Sequence, residues 1–161
     1  MSGPLAAVLN TVATWPGAVW LQGSGTAYLC VNAAHILGVA LLIGAIVPLD
    51  LRLAGLWRQV PLSVLLPFLS RAAATGLALA LVTGLWLFTV NPVDYADNRA
   101  FQFKLGLLML ALGNVAWQHG SSELVRTRRD GTVSTGVRWR AVASPLWWLG
   151  VLLAGRWIGF L

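Results

Sequence analysis

From Val31 to Leu49 the chain carries no charged residue. At ~1.5 Å per residue, that run is long enough to cross a ~30 Å hydrocarbon layer as a helix. Lipid offers no partner to backbone N–H and C=O groups, so a segment of this kind must satisfy them within its own helix. One side chain in the run is ionisable: His35. Ionisable groups are costly in hydrocarbon, and one inside a span marks a candidate site.

The rest of the chain repeats the pattern. Of 161 residues, 58% are hydrophobic and 10% charged, where soluble domains carry about one quarter. Hydropathy places spans at 27–49, 69–90, 101–118 and 141–160. Residues 4–21 are apolar but broken by Pro16 and Gly17, with Trp15 and Trp20 beside the break. They read as an interfacial helix with an aromatic anchor. Pro67 is expected to separate a short interfacial turn from the second span. The fold expected is all-α: one integral-membrane domain, 1–161, built as a four-helix up-down bundle with an N-terminal interfacial helix. Met1–Asn10 lacks a basic signal-peptide start, so the first span is expected to be retained.

The net charge of +6 is a matter of topology. The loops after spans one and three, with Arg71, hold eight of the eleven Lys and Arg. The positive-inside rule turns those loops to the cytoplasm and both termini outward. Arg126, Arg128, Arg129, Arg138 and Arg140 lack interleaved aromatics until Trp139, so nucleic acid is not an expected partner; the lipid bilayer is. Asp50 and Arg52 read as an interfacial ion-pair network with Arg58 and Arg71.

Two spans each giving a histidine can hold a b-type haem. His35 and His119 differ in depth by ~15 Å at ~1.5 Å per residue, which argues against that pair. Met109 lies at the depth of His35 and is a second candidate axial ligand. Lys104 and Arg156, on the same outer half, suit haem propionates or a quinone. Each has a plainer reading: Met109 as packing, Lys104 and Arg156 as snorkelling cations, His119 as an interfacial polar residue. His35 itself can be satisfied by Asn32, Thr75 or Thr83 across the bundle. Cys30 with His35, five residues on and near the same face, is a candidate Cu(I) pair. Gly76, Ala80 and Gly84 form a small-residue row suited to packing against a partner membrane protein. No nucleophile–base set, phosphate loop or zinc motif is present.

Three stretches, VNAAHILGVALLIGAIVPLDLRLAG (31–55), NRAFQFKLGLLMLALGNVAWQH (98–119) and SPLWWLGVLLAGRWIGF (144–160), resemble a bacterial family of small four-helix membrane proteins of unknown function. More distantly the layout is similar to copper-resistance protein D and cytochrome b561-type membrane proteins. That resemblance implies a bacterial inner-membrane location and a b-haem ligand at His35. The several paired histidines of a two-haem cytochrome are absent. The reading is a small electron-transfer or membrane-anchor subunit with at most one haem b or a quinone near His35, working with a membrane or redox partner rather than as an enzyme on its own. Its alternatives are a structural or assembly subunit, and a copper or small-solute carrier.

Overall fold

The computed structural model describes residues 4–160. Its described residues form helices α1 (Pro4–Ala13), α2 (Pro16–Gly23), α3 (Gly25–Ala54), α4 (Leu62–Phe88), α5 (Pro92–Asp97), α6 (Arg99–Gly120), α7 (Ser122–Asp130) and α8 (Thr135–Trp157), then a 3-10 turn at Ile158–Phe160. Four segments are long and apolar enough to cross a membrane: α3, α4, α6, and α8 with its terminal turn. Large apolar side chains stand exposed along all four, among them Ile36, Val82, Phe103 and Leu153. Such an outer surface suits a lipid solvent, as in a multi-pass membrane protein.

Local sequence explains where the helices start and stop. Ser24, Asn98, Ser121 and Ser134 each accept a backbone N–H three residues on, capping α3, α6, α7 and α8. Gly55 ends α3 in the left-handed region at φ 117°, where its N–H meets the carbonyls of Leu51 and Arg52. One proline behaves differently from expectation. Pro67 lies inside a continuous α4, and Pro48 and Pro145 lie inside α3 and α8. Pro67 is only the sixth residue of α4, so little of the hydrogen-bond ladder precedes it. The polar segment after α6 contains the amphipathic helix α7, which buries Leu124 and Thr127 and turns its arginines outward.

At ~1.5 Å per residue α3 is ~45 Å long and outruns the hydrocarbon layer. Its last two turns therefore project towards the loop side, carrying Asp50 and Arg52. The closest packing in the molecule joins α3 to α4. Gly38 faces Gly76 and Ala80, and His35 faces Thr83 and Gly84, so the two helices run antiparallel. A Cβ added at Gly76 would lie 2.5 Å from Leu42 N and 2.7 Å from Gly38 O, so the two backbones touch. The small-residue row is thus spent inside the chain and is not left for a partner protein. The α6–α8 pair is sutured by Asn114 Nδ2 donating to Arg140 O (3.2 Å) and Gln118 Nε2 to Val137 O (3.3 Å). The α3 helix also packs on α8, whereas α4 and α6 make no comparable contact.

At the opposite end Trp86 stacks obliquely with Trp15 and Trp20, and its Nε1 donates to Gly17 O at 3.0 Å. Gln22 Nε2 bridges Ala13 O and Val90 O. These contacts tie α1 and α2 to the end of α4.

Candidate functional site

Between the four long helices, in the half nearer the α3–α4 and α6–α8 loops, lies a cavity of about 250 Å³. Its wall is mainly aliphatic, with Leu42, Ile46 and Leu49 from α3, Leu66 and Leu77 from α4, and Val115 from α6. Set into that wall are Asp50, Ser70, Ser144, Trp148, Gln118 and Arg140. Among the described residues, three buried side-chain atoms have no hydrogen-bond partner: Asp50 Oδ2, Ser70 Oγ and Trp148 Nε1. All three residues line this one cavity.

Buried polar groups ordinarily pair, and each one that does not asks for an explanation. Asp50 is 8% exposed and Trp148 2%. Ser144 of α8 stands beside the Asp50 carboxylate. Its neighbour Arg52 turns away, donating to Val60 O at 2.9 Å and Arg58 O at 3.0 Å. The expected Asp50–Arg52 ion-pair network is therefore not formed. The loop after α3 takes the guanidinium through the carbonyls of Arg58 and Val60, because Gly55 folds that loop back beneath it.

Arg140 closes the loop-side end of the cavity. Its Nε donates to Gln118 Oε1 (2.6 Å) and an Nη donates to Glu123 Oε2 (2.6 Å) and to Ser121 Oγ (3.3 Å). Its guanidinium also lies 5.3 Å from the centre of the Trp117 ring. The hydrogen bond from Arg140 holds the Glu123 carboxyl below its ordinary range, with further help from Ser134 and Arg126. One helix-end arginine thus joins α6, α7 and α8, and its charge is balanced by Glu123, leaving Asp50 uncompensated.

Most of the residues singled out in the sequence are dispersed, although Lys104 lies near enough to His35 to act on its ring electrostatically. His35 Nδ1 is 3.1 Å from Thr83 Oγ1, and that hydroxyl donates to Leu79 O at 2.6 Å. The threonine proton being used, its oxygen accepts from the histidine, which assigns the proton to Nδ1. Of the three partners considered for His35, the structure provides Thr83. Met109 is 69% exposed on α6. His119 is exposed on α6, its Nδ1 donating to Val115 O at 3.0 Å. Lys104 runs its stem along Gly155, and Arg156 lies over Phe160. Cys30 is exposed, while His35 turns to α4. Five residues rotate a helix by ~140°, so these two do not share a face. No group of three or more His, Cys, Asp or Glu gathers as a metal site among the described residues.

A haem held by His35 needs a free ring nitrogen facing an open slot and a second ligand opposite. Here Thr83 engages Nδ1 and leaves Nε2 as the free nitrogen, but the ring is packed on Gly84, 2.9 Å from where a Cβ would stand. Met109 and His119 turn elsewhere. The donor set does not fit an axial pair. His35→Ala is expected to cost about 1 kcal/mol of stability, one lost hydrogen bond, because Thr83 keeps Leu79 O. A Soret band that vanishes in His35→Ala, in protein expressed with ample haem, would overturn this reading.

Comparison of the chain with family models, characterised proteins and solved structures returns no match. The cavity was within reach of sequence reasoning in one respect. Asp50, Asn114, Gln118 and Ser144 interrupt apolar runs near the same membrane face. Their convergence follows from helix packing and not from spacing along the chain.

Proposed function

We propose that the chain is a four-span up-down bundle of a bacterial inner membrane, with α1 and α2 at the outer interface and both termini outside. Its role is that of a membrane subunit that holds a small, uncharged, largely apolar ligand by a hydrogen-bonding head. It works beside a membrane or redox partner and is not an enzyme alone. The distribution of arginine supports the orientation.

The observation that carries the ligand reading is that the three residues with an unpartnered buried polar atom all line one cavity. An ionised Asp50 without a counter-charge is costly there, so it takes a proton or a hydrogen-bond donor. The Trp148 N–H and the Arg140 guanidinium on the same wall disfavour a cation. A volume of about 250 Å³ is just below the usual size of ligand pockets, room for a head group and little more. The seam between α4 and α6, where Ala74 is exposed on the lining, gives an apolar remainder a way into the bilayer.

Native mass spectrometry of protein in native lipid discs tests this. The wild type is expected to carry a bound molecule beyond bulk lipid. Ala74→Phe, which blocks the seam, is expected to lose most of it while thermal stability holds. Unchanged spectra, with only water to bridge the three atoms, would sink the reading.

A further inference from the structure

The polar atoms of the cavity stand in two tiers. Asp50 meets Ser144 of α8. Ser70 comes from α4 near that level, because α3 and α4 run antiparallel with Leu42 against Gly76. Trp148 lies four residues beyond Ser144 on α8, one turn or ~6 Å further into the membrane. It shares a packed cluster with Ile46 and Ala73 at that level. The cavity is therefore lined by residues that bear a carboxyl and a hydroxyl at one end and an indole N–H about a turn away. Aliphatic side chains lie between.

We propose that the head group is a para-quinone and its quinol, a deepening that rests on the ligand reading above. The two oxygens of a para-quinone are about one helical turn apart, ~5 Å, and both accept hydrogen bonds. The inner oxygen takes the Trp148 N–H. The outer oxygen takes the proton of a neutral Asp50 carboxyl, with Ser70 beside it. In the quinol the outer oxygen is itself a donor, and it gives its hydrogen bond to Asp50 as a carboxylate. One carboxyl thus matches both forms by changing its own proton. The flat ring fits between aliphatic walls, and a polyprenyl tail leaves through the α4–α6 seam.

The charged and titratable groups facing Asp50 are few. Arg140 comes from α8, already held by Glu123 of α7, and His119 from α6. Arg71, next to Ser70 on α4, is exposed, and Arg52 on α3 is bound to carbonyls.

The test is equilibrium dialysis of tetramethyl-para-benzoquinone and its quinol against the full chain in lipid nanodiscs, with empty nanodiscs as blank. Lacking a tail, this probe reports the head site alone. Quinone binding is expected to weaken and quinol binding to strengthen as pH rises through the Asp50 titration, each by on the order of tenfold. Asp50→Asn should keep quinone binding, its amide replacing the carboxyl donor, and lose the pH dependence. His119→Gln should keep the pH dependence. Trp148→Phe should weaken both forms about tenfold. Binding that is independent of pH, or unchanged in both Asp50→Asn and Trp148→Phe, overturns the assignment. If neither form binds, while a different molecule is found in wild type and excluded by Ala74→Phe, the quinone assignment falls and the cavity reading stands. If nothing binds, both fall.

Discussion

Gly76→Leu is expected to yield no stably folded protein in detergent, and Gly76→Ala to lose about 1–3 kcal/mol, the usual range for overpacking a close contact. A Cβ at Gly76 meets backbone atoms of Leu42 and Gly38, and backbone cannot swing aside as a side chain can. Gly38→Ala should behave alike, since its Cβ would stand 2.7 Å from Ala80 N. Two other glycines serve as controls in the same helices. At Gly84 the added carbon meets only the His35 ring, a movable group, so Gly84→Ala should cost less. At Gly44 nothing lies within 4 Å, so Gly44→Ala should be neutral or slightly stabilising through helix propensity. Thermal unfolding in one detergent ranks the four. A Gly76→Ala midpoint equal to that of Gly44→Ala would show that α3 and α4 are not in backbone contact.

Arg140→Ala is expected to destabilise the protein by about 2–3 kcal/mol, the cost of orphaning a buried acceptor of a charge-assisted hydrogen bond. Gln118 is 7% exposed, and its Oε1 has Arg140 for a donor. The same change frees Glu123 and the Trp117 ring face, so α7 should become open to limited proteolysis after its arginines. Arg140→Lys should not restore the wild type, because an ammonium cannot serve Gln118 and Glu123 together in the guanidinium's planar geometry. The Glu123 part can be separated by pH. Its carboxyl titrates below the ordinary glutamate range, so its stabilising effect is complete above about pH 4.3 and fades as pH falls through the lowered value. Wild type and Glu123→Gln should therefore differ at neutral pH and converge in acid. The difference should shrink with salt, since Glu123 is exposed. A gap that widens in acid would contradict the sign.

Much of the architecture was legible in the chain. Uncharged runs between short polar loops identify four spans. Proline misled, because hydropathy and a breaker residue together suggest a boundary at Pro67. A long membrane helix tolerates one lost hydrogen bond near its start, and so α4 runs through. The helix α7 hid inside a polar loop since its apolar face is only Leu124 and Thr127 deep. The cavity escaped notice for a clearer reason. A histidine in an apolar run draws attention by its rarity, yet Thr83 across the helix pair satisfies it. Asp50 sits close to a loop and beside Arg52, so the sequence suggests an ion pair. Only the direction in which Arg52 turns reveals a carboxylate left to face a cavity. Side-chain direction in a helix depends on neighbours that the linear order does not identify.

The uneven contacts among the long helices also bear on how the protein is made. Synthesis delivers α3 and α4 first, and their glycine-to-glycine contact needs nothing that comes later. This first hairpin can assemble while α6 is still in the ribosomal tunnel or the insertion machinery. The second hairpin, α6 and α8, carries its own sutures through Asn114 and Gln118. If the two halves form separately and then meet along α3 and α8, the cavity comes into being only at that docking. A hydrophobic guest present in the membrane at that moment would be enclosed as the halves close. Loading would then belong to biogenesis as much as to the working life of the finished protein.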